Sequence, residues 1–168
     1  MFRLFVPDLR VDSVLDLDPQ RLHAMGLDHL LVDVDCTLKR YTADVLPCEM
    51  VAWIERLGAA GIGVCLVSNG LPQRINRVAE RLGVPFVSKA LKPLPFRCRA
   101  AIQRLGFARK RTAMVGDQVF ADVMAGRLAG LATILVRPMH PEEEPWFTRI
   151  KRPLERLLLR WLDRRQRP

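Results

Sequence analysis

Short apolar runs alternate along the chain with stretches whose apolar positions recur every three or four residues. The runs at 29–34, 62–67, 85–88, 112–116 and 131–136 read as strands. The stretches at 47–60, 71–82, 94–105 and 119–128 read as helices, with one more short helix expected at 19–25 in the lead-in before residue 29. Gly61, Gly83, Gly106 and Gly130 each stand where one of these helices must stop, as C-terminal glycines do. Strand–helix alternation with apolar strands predicts an α/β fold, a central parallel sheet covered on both faces. The stretch 137–146 carries three prolines and reads as a linker or surface crossing. Residues 1–146 are expected to form one domain. Residues 147–168 are expected to form a basic amphipathic C-terminal helix, part of the same unit or a surface-binding tail.

Composition narrows the class. The chain has 168 residues, 49% hydrophobic and 27% charged, the proportions of a soluble globular domain with a proper core. No apolar run reaches the ~18–20 residues of a membrane-spanning helix. Pro7 and Asp8 interrupt Met1–Val6 before a signal-peptide core can form, so the expected location is cytoplasmic. Cys36, Cys48, Cys65 and Cys98 make no CxxC pair and no ligand spacing with His23, His29 or His140. They read as reduced thiols, and the histidines as structural or solvated. The net charge of +9 is uneven: residues 149–168 hold eight Lys/Arg against Glu155 and Asp163, +6 of the total. Such a surface favours anionic partners: phosphorylated substrates, acidic lipid or nucleic acid.

Candidate chemistry begins at Leu30-Leu31-Val32-Asp33-Val34-Asp35-Cys36-Thr37-Leu38. Asp33 and Asp35 lie one strand period apart where a strand gives out, and carboxylates in an apolar run are costly unless paired or metal-bound; the alternative is a strand end followed by an Asp-rich turn. Ser68-Asn69-Gly70 follows a strand and precedes a helix, an arrangement that serves as an anion site or as a simple N-cap with a turn glycine. Lys92-Pro93 precedes another helix, with Pro93 suited to its first turn and Lys92 able to neutralise a phosphate; Lys89 is the fallback. Asp117 and Asp122 straddle a further strand–helix junction. Ligands of open α/β sheets bind at the carboxyl ends of strands, where these clusters converge. Asp33, Asp35, Asp117 and Asp122 together would form an acidic cage suited to oxygen-liganded Mg²⁺.

Four ordered motifs, DxDxT at Asp33–Thr37, Ser68, Lys92 and GDxxxxD ending at Asp122, make the chain resemble the haloacid dehalogenase-like (HAD) phosphohydrolases over about residues 7–137. With the lead-in Pro7…Ser13-Val14-Leu15-Asp16-Leu17, it looks like the YqeG-type HAD IIIA phosphatases, related to mitochondrial phosphatidylglycerophosphatases. The resemblance implies a three-layer Rossmann-like fold. About 27 residues separate Asp35 from the second strand and 23 separate Ser68 from Lys92, too few for an inserted cap. A capless site is open, which suits a macromolecular or membrane-embedded substrate, although oligomerisation also supplies lids.

The resemblance further implies an Mg²⁺-dependent phosphomonoesterase. Asp33 is the expected nucleophile and Asp35 the general acid and base. Mg²⁺ is expected on the Asp33 carboxylate, the Asp35 backbone carbonyl, Asp117 and Asp122, the last directly or through water. Ser68, Asn69 and Lys92 are expected to hold the phosphoryl oxygens. The family usually has Asn where this chain has Cys36 and often Thr where it has Ala121.

Leu154, Leu157, Leu158, Trp161 and Leu162 recur at helical spacing, with Arg156, Arg160, Arg164 and Arg167 largely elsewhere. Packing on the domain and lying on an anionic bilayer use this same pattern. The resemblance favours phosphatidylglycerophosphate as substrate and peripheral membrane contact. A soluble sugar phosphate, a nucleotide or a nucleic-acid 3′-phosphate is the alternative, and an RNA- or partner-binding protein with weak catalysis a third reading. Nucleic acid is disfavoured because no basic patch is interleaved with aromatics; Tyr41 beside Lys39-Arg40 is the one hint near the site.

Overall fold

The computed structural model describes residues 2–166, apart from the side chains of Phe2, Phe147, Asp163, Arg165 and Gln166; Arg167, counted above among the tail's cations, lies outside the described residues. Six parallel strands form one sheet: β1 (Leu9–Val11), β2 (His29–Val32), β3 (Gly63–Val67), β4 (Phe86–Val87), β5 (Thr112–Gly116) and β6 (Ala132–Val136). Their order is β1-β6-β5-β2-β3-β4. Five strands were expected. The sixth, β1, lies in the lead-in and pairs Leu9 with Ile134 and Val11 with Val136. Three residues are too few to show a period, and edge pairing comes from β6, far away in sequence.

Alternation within the strands builds the layers. Leu30 and Val32 join one apolar cluster with Leu22 of α1 (Pro19–Ala24), Trp53 of α2 (Cys48–Ala59) and Ile75 of α3 (Pro72–Leu82). Leu31 enters the opposite cluster with Ile102 of α4 (Phe96–Leu105) and Ala125 of α5 (Met124–Ala129). The result is the expected three-layer α/β architecture. Trp53 is wholly buried, and its indole N–H donates to Leu17 O at 2.8 Å, so the large ring is packed without stranding its polar atom.

Several boundaries moved. The expected helix at 119–128 opens with a π-helical turn, Val119–Val123, before α5. The helix after Lys92-Pro93 starts only at Phe96, so Pro93 precedes its first turn instead of occupying it. The proline-rich stretch contains a 3-10 turn at Pro141–Glu143 and leads into α6 (Trp146–Arg149) and α7 (Lys151–Gln166). Leu158 and Leu159 of α7 pack on Val119, Val123 and Leu135.

Register levels the strand ends. Val32 pairs with Leu66 and with Val115, which sets Asp33 beside Val67 and Gly116. Ser68 and Asp117 then each stand one residue farther along. The chain runs outward from β2 through β3 to β4, then returns to place β5 on the other side of β2. The crevice at this reversal is where α/β sheets hold ligands.

Candidate active site

A cavity of about 260 Å³ opens at that crevice, bordered by Asp33, Asp35, Ser68, Asn69, Lys92 and Asp122. Strand pairing reaches Asp33, whose N–H donates to Val115 O at 2.9 Å. The chain then leaves the strand direction. Cys36 takes a left-handed φ of 60°, and its N–H donates to Lys39 O at 2.8 Å. Strand geometry therefore does not govern the two aspartates: Asp33 faces Lys92 and Asp35 faces Arg74 and Lys39, at the edge of one cavity.

Lys92 is the hub. Its buried ammonium donates to Asp33 Oδ1 at 2.5 Å, Asp122 Oδ1 at 2.6 Å and Val67 O at 2.8 Å, one acceptor for each of its three protons. Burial pushes its pKa down, but the Asp122 and Asp33 carboxylates outweigh burial and hold it above the ordinary lysine range. Burial pushes Asp33 well up, against the pull of Lys92, and the neighbouring acids add to the rise. Lys89, the fallback, is exposed.

Asp122 reaches the cluster from the π-turn, where Gln118 N donates to its Oδ2 at 3.0 Å. A Cβ on Gly116 would lie 2.3 Å from Asp122 Cγ, so the missing side chain at Gly116 is what admits this carboxylate. Asp117 accepts from Thr37 Oγ1 at 3.2 Å and from Arg152 Nη2. Burial pushes Asp117 up to about 7 despite Arg152.

Asp33, Asp117 and Asp122 each offer a carboxylate oxygen within 4.8 Å of the others, all three residues being buried. The donors are hard oxygens, and the charge balance also suits a cation. Lys92 and Arg152 face Asp33, Asp117, Asp122, Glu144 and Glu155, five buried carboxylates against two cations. Without further positive charge, burial drives such acids toward the neutral form. The residues therefore fit a divalent metal. The Asp35 carboxylate stands apart from this trio.

Ser68 and Asn69 shape the opposite wall. Gly70 N donates to Ser68 Oγ at 3.0 Å. Asn69 Oδ1 accepts from Lys92 N at 2.8 Å, and Asn69 Nδ2 donates to Lys92 O at 3.2 Å, clamping the two loops together. Asp35 is held by Arg74, with Nη1 donating to Oδ2 at 3.2 Å and Nη2 lying 2.9 Å from Oδ1, while Lys39 Nζ lies 3.6 Å away. Arg74 also donates to Tyr41 O and sits over the Tyr41 ring at 4.7 Å. Tyr41 is thus engaged by a neighbouring arginine inside the cavity wall.

Sequence reasoning missed Arg152, Glu144, Glu155 and Arg74. Arg152 comes from α7, yet Nη1 donates to Asp117 O at 2.7 Å, Nε donates to Glu144 Oε2 at 3.0 Å, and Nη1 reaches Glu155 Oε2 at 3.3 Å. Glu155 Oε1 in turn accepts from Phe120 N at 2.9 Å. Glu144, in the stretch read as a surface crossing, is buried. A signal for Arg152 and Glu155 was present: with Leu159 and Leu162 they share one helical stripe, and two opposite charges in an apolar stripe indicate a buried pair. Arg74 carried no such signal. The Cys36 thiol is buried, and its pKa is pushed up by burial and by Asp117, so it is a packed, neutral group.

Residues 7–130 match a family model described as a hydrolase, haloacid dehalogenase-like. The chain is 30% identical to the "Probable phosphatase YqeG" of Bacillus subtilis, over 97% of this chain and 94% of the relative. It is 27% identical to phosphatidylglycerophosphate phosphatase 1, chloroplastic/mitochondrial, of Arabidopsis thaliana, covering 99% of this chain but about half (51%) of the plant protein. Among solved structures, the deoxy-D-mannose-octulosonate 8-phosphate phosphatase of Haemophilus influenzae, in a cobalt-bound form, superposes with a TM-score of 0.55. That match has 20% identity over 67% of this chain and 69% of that one, and shares the fold.

Proposed function

Because the chain belongs to the haloacid dehalogenase-like hydrolases and is a phosphatase of that type, we propose that it cleaves a phosphomonoester through an aspartyl-phosphate on Asp33. The observation that carries this reading is the Lys92 ammonium bonded to both Asp33 and Asp122 at the head of the catalytic cavity. Lys92 opposes the burial that pushes Asp33 toward its neutral form, and so favours the charged carboxylate a nucleophile needs. An Asp33 oxygen attacks phosphorus while the ester oxygen leaves, taking a proton from the Asp35 carboxyl group. Asp35, now a carboxylate, removes a proton from water. That water attacks the same phosphorus, releasing inorganic phosphate and restoring Asp33. Ser68, Asn69 and Lys92 hold the phosphoryl oxygens, and Arg74 and Lys39 fix the Asp35 side chain in place. Mg²⁺ on the Asp33, Asp117 and Asp122 carboxylates and the Asp35 backbone carbonyl would supply the positive charge that lets an anionic nucleophile meet an anionic ester.

The substrate we assign is phosphatidylglycerophosphate, giving phosphatidylglycerol. Support comes from the plant relative's name, from the absence of an inserted cap between β2 and α2, and from the basic C-terminal segment. The corresponding location is the cytoplasmic face of a membrane, with peripheral contact; none of the described helices is long and apolar enough to cross a bilayer.

The test is Mg²⁺-dependent phosphate release by wild type and Asp33→Asn on micellar phosphatidylglycerophosphate, beside sugar phosphates, nucleotides and 3′-phosphorylated oligonucleotides. The expected result is lipid preference that vanishes in the variant while its circular dichroism stays native. Turnover retained by Asp33→Asn would sink the mechanism. Turnover confined to soluble esters would leave the mechanism standing and remove the lipid.

A further inference from the structure

A second and larger cavity, an open groove of about 950 Å³, lies beside the catalytic one. Asp117 and Arg152 border it, and Glu144, bonded to Arg152, borders the catalytic cavity, so this ion cluster stands between the two. The segment around α6 is shared as well. Pro145, Thr148 and Lys151 line the catalytic cavity, whereas Trp146, Arg149 and Ile150 line the groove. Apolar Val119, from the π-helical turn after β5, and Leu135 and Val136, at the end of β6, line the groove.

The outer surface of the same segment carries a ridge. Ile150 keeps right-handed helical angles between α6 and α7 (φ −61°, ψ −31°), so the two helices run on nearly as one rod. Trp146, Ile150, Leu154 and Leu157 are 72%, 61%, 58% and 65% exposed. At 100° per residue these four fall within an arc of about 80°. Leu158, Leu159 and Leu162, the side packed on the domain, occupy a different arc. The rod therefore has two apolar faces, one used by the core and one left outside. Arg149, Arg156 and Arg160, all exposed, fall along one flank of the outer face, and exposed Arg164 falls at its edge.

We propose that this outer face and the groove behind it dock the enzyme on an anionic phospholipid bilayer, with one acyl chain of a bilayer lipid entering the groove. The inference deepens the lipid-phosphate reading and rests on it only for the reason an enzyme would need such a face. Charge complementarity selects the occupant: large apolar side chains bordered by arginines match an interface of acyl chains beneath anionic headgroups. Trp146 and Ile150 belong to both ridge and groove, so insertion of the ridge brings acyl chains to the groove's mouth. The catalytic cavity opens on the other side of the same short helix, which would set the nucleophile at headgroup depth.

The experiment is flotation with phosphatidylcholine vesicles prepared with and without phosphatidylserine, lipids that are neither substrate nor product. Wild type is expected to float with the anionic vesicles, more weakly as salt rises. The Ile150→Glu/Leu154→Glu/Leu157→Glu variant, changed only at exposed positions, should bind at least about tenfold more weakly. It should keep wild-type hydrolysis of p-nitrophenyl phosphate, which also reports that it is folded. Acyl-brominated phosphatidylcholine in the anionic vesicles should quench a fluorescence component of wild type that Trp146→Phe lacks. Wild type that fails to float, a variant that floats as well as wild type, or a ridge that sizing shows buried in a dimer of this chain would each overturn the proposal. Because binding is read without turnover, loss of docking and loss of the lipid-phosphatase reading give different results.

Discussion

Arg152→Met removes the cation that ties α7 to the candidate active site while keeping much of the side chain's bulk. In the native protein Arg152 is 7% exposed and faces Asp117, Glu144 and Glu155, which are equally shielded. Burial holds Asp117 up at about 7 and pushes Glu155 up even with the arginine present, so both acids depend on it for their charge. Deleting one partner of a buried ion pair typically costs about 3–5 kcal/mol, because the other is left charged and unpaired. In a domain of this size each kcal/mol moves the melting temperature by about 2–4 °C, so a fall of roughly 6–20 °C is expected. Urea unfolding followed by circular dichroism at pH 7 measures the free-energy change directly. A second change, Glu144→Gln, should recover part of the loss by removing one stranded charge. Saturating Mg²⁺ should recover part as well, through Asp117. A variant within about 1 kcal/mol of wild type, with no response to either rescue, would show that the arginine cluster is not what holds these carboxylates.

Gly116→Ala should push Asp122 out of the cluster, since the new Cβ would sit 2.3 Å from its Cγ; about 1–3 kcal/mol of stability should go, with phosphatase activity lost more completely than stability, measured by urea titration and phosphate release. Removal of metal by chelation should lower the unfolding midpoint of wild type, and Mg²⁺ at 100 times its dissociation constant should add about 2.7 kcal/mol, a gain that Asp122→Asn should abolish. His29 stacks on Phe107 with ring centroids 4.3 Å apart, and burial lowers its pKa despite Asp28. A depressed histidine is neutral in the fold and protonates more readily once unfolded, so its share of stability is complete above about pH 6.5 and is lost as pH falls toward its folded value. Denaturation midpoints from pH 7.5 to 5 should therefore decline less steeply in His29→Gln; parallel slopes would refute it.

Periodicity in the chain was sufficient for the strands β2 to β6, the helices α1 to α5 and the parallel α/β class, because burial on one or both faces writes itself into local spacing. The ordered aspartates, Ser68 and Lys92 were legible for a related reason: strand ends are local features, and a charged residue after an apolar run is conspicuous. The pairing of those strand ends was not local. Only the register of β2 with β3 and β5 brings Asp33 level with Gly116 and so within reach of Asp122 and Lys92. β1 was hidden because three residues at an edge show no period, and its pairing with β6 joins segments more than a hundred residues apart. The C-terminal segment shows the limit most clearly. Its spacing announced an amphipathic helix, but Arg152 and Glu155 turn inward to Asp117 and Phe120 while Leu154 and Leu157 stay outside. A helix's own sequence states which residues share a stripe; which stripe meets the domain depends on what the domain offers. Here buried carboxylates at the end of β5 could be neutralised by an arginine, and that tertiary demand oriented the helix.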